Sequence, residues 1–126
     1  MIYRNPVQRL VYASKYSLQG LAYALRNEQA FRYEAAVLAM ICILLCVMPF
    51  TLWQRILLAV MWLAVMALEL VNSAVEKAFD LISEGYRPEI KAGKDMISAS
   101  VFIMVCMNIL CWSAVIISTY IYPAAG

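Results

Sequence analysis

Along this chain the polar residues fall as punctuation between long apolar runs. From Ala35 to Phe50 sixteen residues pass without a charge. A span of a ~30 Å hydrocarbon core needs about 20 residues at ~1.5 Å each, so the pattern predicts a first membrane helix over about 31–49 that includes Phe31 to Glu34. Pro49 and Thr51 mark a turn, and Leu52 opens a second apolar stretch predicted to stay helical over about 52–83. A mixed loop, Glu84-Gly85-Tyr86-Arg87-Pro88, then leads into the charged residues Glu89 to Asp95. The third span is expected over about 94–122, where Met96 to Tyr122 has only Ser, Asn and Thr as polar members.

Ahead of these runs the period changes. Asn5-Pro6 reads as a helix N-cap with proline at the first helical position. Val7, Leu10, Val11, Leu18, Leu21, Ala22 and Leu25 then share one face, with Arg9, Lys15, Gln19 and Arg26 off it. This is the pattern of an amphipathic helix, about 5–26, lying in the membrane interface with Tyr12, Tyr16 and Tyr23 at headgroup level. Gly20 is a point where it can bend. The expected fold is therefore an all-α membrane protein: a surface helix and three transmembrane helices in one domain over residues 1–126.

Composition agrees. The 126 residues are 65% hydrophobic and 14% charged, with mean hydropathy +0.77, whereas soluble domains are ~45–50% apolar and ~25% charged. A net charge of +2 argues against a nucleic-acid binder. The absence of histidine excludes serine triads and His-ligated zinc. Residues 1–27 lack the apolar run and small-residue cleavage site of a signal peptide. Cys42, Cys46, Cys106 and Cys111 lie within apolar runs and read as free thiols, and Trp53, Trp62 and Trp112 as anchors or packing. Five Lys or Arg precede the first span (Arg4, Arg9, Lys15, Arg26, Arg32), one lies in the first turn (Arg55), four lie around the second loop (Lys77, Arg87, Lys91, Lys94) and none at the carboxyl end. The N-terminus and second loop are expected in the cytoplasm and the C-terminus outside.

The chemistry concentrates in Glu69-x-x-Asn72-x-x-x-Glu76-x-x-x-Asp80. At ~100° per residue, with Glu69 at zero, Asn72 falls near −60°, Glu76 near −20° and Asp80 near +20°. All four share one stripe with Ser73. Carboxylates at membrane depth cost several kcal/mol, so a proton, a cationic side chain or a metal must compensate. Candidate partners are Glu28 and Glu34, which on one helix would face about 120° apart and could not serve one site equally. Lys91, Lys94, Asp95 and Ser98 form a single face at the start of the third span. A site of Glu28, Glu69 and Glu76 with Lys94 nearby suits phosphate handled with Mg²⁺. The chain has neither GxxxxGK[ST] nor GxGxxG, so a nucleotide would not sit in either of those turns. An ion-translocating membrane subunit using Glu69 is the alternative from a different class.

Asn27–Glu34 (NEQAFRYE), Glu69–Asp80 (ELVNSAVEKAFD) and Gly93–Ala99 (GKDMISA), in this order around three spans, resemble the prokaryotic diacylglycerol kinases. The resemblance covers nearly the whole chain. The family also contains undecaprenol kinases, but NEQAFRYE is more similar to the Gram-negative diacylglycerol branch. It implies an inner-membrane homotrimer with composite sites, passing the ATP γ-phosphate directly to a lipid hydroxyl. By resemblance Glu69 is the general base, and Glu28 and Glu76 hold Mg²⁺ against the ATP phosphates. Arg9, Tyr16, Gly85, Tyr86, Arg87, Lys94 and Asp95 match nucleotide-binding positions, Asn72 lies beside the base and Ser98 near the acceptor. Glu34, Arg55 and Asp80 are carried as supporting residues. Gln19, where the family has a basic residue, and Arg87-Pro88 depart from the pattern without touching the core motif.

Overall fold

The computed structural model describes residues 5–123; Arg4, one of the cations counted above, lies outside them. Four helices follow one another: α1 (Pro6–Asn27), α2 (Gln29–Val47), α3 (Leu52–Ile82) and α4 (Pro88–Ile116), the last running on as a π-helical segment, Ile117–Ile121. The described residues contain no strand, and α2, α3 and α4 with its π-helical extension are each long and apolar enough to cross a membrane.

The local causes are legible. Asn5 Oδ1 accepts the Gln8 backbone N–H at 2.8 Å, Pro6 opens α1, and the helix passes Gly20 without a break. At Glu28 the backbone turns extended (φ −108°, ψ 108°), so this one residue ends α1 and caps α2. Glu28 and Glu34 are therefore not on one helix, and the expectation that they diverge by a third of a turn is corrected. Thr51 and Gln54 form a reciprocal capping box at the start of α3. α4 begins at Pro88, with Arg87 as its N-cap residue, rather than near residue 94. Lys91 and Asp95, expected on one helical face, pair at 2.6 Å across one turn of α4.

α3 is the central element, packed between α2 and α4. At one end Ile41, Leu45, Phe50, Leu58 and Val115 form a core, with Trp112 edge-on to Phe50 at 6.1 Å. Toward the other end Ala24, Phe31 and Met66 join α1, α2 and α3. Val7, Leu10, Val11 and Leu18 of α1 stay exposed, as an interfacial helix requires. All four cysteines are free thiols.

Candidate active site

The buried face of α3 changes character part-way along. Leu58, Val65 and Met66 are buried and apolar; the same stripe continues as Glu69, Asn72 and Ser73, each only 8% exposed. Glu69 lies seventeen residues past Leu52, about 26 Å along the axis, near the far edge of a ~30 Å hydrocarbon core. The carboxylate is thus sequestered yet close to the interface. Asn72 Nδ2 donates to Glu69 Oε1 over a long 3.4 Å, and Asn72 Oδ1 is buried with no hydrogen-bond partner among the described residues. Glu76, one turn beyond Asn72, is exposed.

Three more carboxylates act on Glu69 through their charge. Glu34 from α2, Glu76 from α3 and Glu28 from the α1–α2 corner all lie within electrostatic reach of it. Trp62 Nε1 donates to the main-chain oxygen of Glu34 at 2.9 Å, pinning α2 to α3, while Glu34 Oε2 is buried without a hydrogen-bond partner among the described residues. Such a concentration of acid is relieved by a proton or a cation. The one that arrives is Lys77, whose Nζ sits 2.6 Å from Glu28 Oε1 and 5.7 Å from the centre of the Tyr23 ring. Sequence reading counted Lys77 only toward topology. Its signal was available: it is the single cation on the carboxylate-bearing half of α3.

Between α1 and this part of α3 runs a groove of about 510 Å³, lined among others by Ser17, Gly20, Tyr23, Glu28, Ser73 and Lys77. Its walls are mostly apolar with a few polar groups among them, the character of a site for an amphiphile.

Other predicted residues lie elsewhere. Lys94, expected near Glu69, instead bonds Asp80 at 2.7 Å, and Asp80 is eleven residues, ~16 Å, from Glu69. Asp95 is paired with Lys91, and Ser98 is exposed on α4. Arg9 is exposed on the first half of α1, and Tyr16 stacks with Tyr12 at 6.4 Å. In the second loop the Gly85 N–H donates to Ser83 Oγ, Tyr86 is exposed and Arg87 caps α4. Arg55 corrects an expectation: its Nη2 donates to the Met48 oxygen at 3.3 Å, closing the α2–α3 turn about 21 Å from Glu69. It belongs to the opposite end of the bundle.

The model of the family described as prokaryotic diacylglycerol kinase matches residues 15–116, from the middle of α1 to the end of α4. The chain belongs to the prokaryotic diacylglycerol kinase family. It is similar to the diacylglycerol kinase of Haemophilus influenzae, with 40% identity covering 85% of this chain and 91% of the relative. The diacylglycerol kinase of Escherichia coli K12 is 34% identical over 82% of this chain and 85% of its own. That of Helicobacter pylori 26695 is 35% identical over 90% and 89%. As a member of this family the chain is a lipid kinase, and the ion-translocating alternative gives way to phosphoryl transfer. For a diacylglycerol-kinase-family protein, the buried carboxylate of α3 and the groove lined by Ser73 and Lys77 of the same helix are the natural place to look for chemistry.

Proposed function

We propose that this lipid kinase phosphorylates diacylglycerol to phosphatidic acid, with ATP as donor and Mg²⁺ as cofactor, at the cytoplasmic face of the bacterial inner membrane. The observation that carries the reading is Glu69: a carboxylate buried near the edge of a membrane span and held by one side-chain hydrogen bond, one helical turn before Ser73, which lines a largely apolar groove between α3 and the surface helix. A lipid could enter that groove from the interface with its chains still in apolar surroundings.

In this reading Glu69 takes the proton of the lipid hydroxyl as its oxygen attacks the γ-phosphorus; the bond to the β-phosphate oxygen breaks and ADP leaves. Asn72 orients the base through Nδ2. Burial withholds water from the γ-phosphate, which favours the lipid as acceptor over hydrolysis. Magnesium usually takes one or two carboxylates and completes its shell with phosphate oxygens and waters. Glu28 and Glu76 are such a pair, and among the described residues no group of three or more His, Cys, Asp or Glu gathers as a protein cage. That donor set fits an ion shared with a polyphosphate. Once bound, Mg²⁺ supplies neutralisation of the phosphate charge.

Arg9, Tyr16, Gly85, Tyr86, Arg87, Lys94 and Asp95 are the proposed nucleotide contacts, with Ser98 near the acceptor and Asp80 anchoring Lys94. Arg9 and Lys94 are spread along separate helices in one chain, which favours a homotrimer whose neighbouring subunits complete each site. The cation distribution supports a cytoplasmic N-terminus and a periplasmic C-terminus.

The deciding experiment assays transfer of label from radiolabelled ATP to short-chain diacylglycerol or to undecaprenol in detergent. Labelled phosphatidic acid is the expected product. Preferential labelling of undecaprenol would move the chain to the other acceptor class, and labelling of neither lipid would overturn the reading of the site.

A further inference from the structure

The Glu28–Lys77 pair is oddly placed for a structural ion pair. Lys77 keeps half its side-chain surface exposed (51%), whereas Glu28 keeps 21%, and the pair joins the α1–α2 corner to α3 at 2.6 Å, on the wall of the groove. With the ammonium half in water, much of its attraction to Glu28 is screened, so the lysine end of the pair can be exchanged. Of the ion pairs among the described residues, it alone engages a carboxylate of the Glu28, Glu34, Glu69 and Glu76 neighbourhood, because Lys91 and Lys94 are bound to Asp95 and Asp80. Arg32 is turned to the main-chain oxygen of Arg26, and Arg55 lies at the other end of α3. Lys77 is thus the cation paired within that neighbourhood, and it occupies one of the two carboxylates assigned above to Mg²⁺.

We infer that Lys77 is the resident counter-cation of the metal position: it holds Glu28 while the nucleotide site is empty, gives Glu28 up to Mg²⁺, and turns its freed ammonium to the nucleotide phosphates. The inference rests on Glu28 being a metal ligand. The ammonium and a divalent cation cannot both occupy Glu28 Oε1 at contact distance, so the two compete. Lys77 has the reach for the second task, since a half-exposed lysine carries its charge on a flexible four-carbon stem. While waiting, the ammonium is steadied by the Tyr23 ring. No bond is made or broken in the exchange; one cation replaces another on the same oxygen.

The test measures binding of Mn²⁺ alone, as a paramagnetic substitute for Mg²⁺, to the full-length protein in detergent by electron paramagnetic resonance, together with kcat. Lys77→Gln removes the competitor and one positive charge, so Mn²⁺ should bind roughly threefold to tenfold more tightly, while kcat at saturating Mg²⁺ falls severalfold. Lys77→Arg, which keeps the charge, should bind Mn²⁺ as the unmodified protein does. If Lys77 were only a clamp on the corner, Lys77→Gln would loosen Glu28 and leave Mn²⁺ affinity unchanged or weaker; either outcome overturns the inference. Glu28→Gln separates the two readings: weaker Mn²⁺ binding supports Glu28 as a ligand whatever Lys77 does. Unchanged binding in Glu28→Gln would remove both the ligand assignment and the role drawn here for Lys77.

Discussion

Trp62 and Glu34 are joined across two spans by an indole N–H that donates to a main-chain oxygen at 2.9 Å. Trp62 lies seven residues before Glu69, two turns along the same face of α3. The bond therefore sets the depth of α2 against the half of α3 that carries the carboxylates. Trp62→Phe keeps a ring and removes the donor. Stability measured by denaturant titration in mixed micelles should fall by about 1–2 kcal/mol, and an unchanged midpoint would show that packing alone fixes the register.

Glu69→Gln retains volume and can still accept from Asn72 while losing the base. Turnover should drop by ~10²–10⁴, with nucleotide binding by equilibrium dialysis nearly unaltered. A folded variant with normal kcat would remove Glu69 from the chemistry.

A methyl group at position 93 would meet the Phe79 ring, with its nearest atom at 2.6 Å. The Phe79 ring lies so close to Gly93 that Gly93→Ala should destabilise by about 1–3 kcal/mol through overpacking. The double variant Gly93→Ala with Phe79→Leu should recover part of that loss, because the smaller side chain leaves room. Equal destabilisation with and without the second change would place the strain elsewhere.

The Lys94–Asp80 bond separates nucleotide binding from folding. The pair is largely exposed, so Lys94→Ala should change stability by less than ~1 kcal/mol. If Lys94 takes a phosphate, the apparent KM for ATP should nevertheless rise roughly tenfold or more, in line with loss of a charge-assisted hydrogen bond. A variant with normal KM would leave Lys94 as a partner of Asp80 and nothing more.

Helix existence was readable because apolar runs of this length have one solvent that suits them. The α1 start was explicit in Asn5-Pro6, and the carboxylate stripe followed from the period of the helix. Less could be read wherever one residue decides a junction. That Glu28 belongs to two helices, and so escapes the angular rule applied to it, depends on a backbone turn with no glycine or proline to announce it. Lys77 was passed over because its partner lies 49 residues earlier in the chain, and no spacing rule spans that distance. Arg55, named as a supporting residue, lies at the other end of its own helix from Glu69. The early start of α4 was written in Pro88 and in the helical spacing of Lys91, Lys94, Asp95 and Ser98, but the bound of the span was drawn by hydropathy, which the charges of 89–95 interrupt.

The three spans differ in length in a way that makes the bilayer a gauge. With 19 residues α2 measures about 28 Å and matches the hydrocarbon with nothing to spare, whereas the 31 residues of α3 measure about 46 Å and overhang it. A thicker membrane would draw the overhang inward and carry Glu69 below the headgroups, away from a water-borne nucleotide. A thinner one would lift Glu69 into the aqueous layer, where the lipid hydroxyl rarely ventures. The rate of a kinase built on this frame should therefore peak at one acyl length of the host lipid and decline on either side, so that membrane composition becomes a control on an enzyme that has no regulatory domain within its described residues.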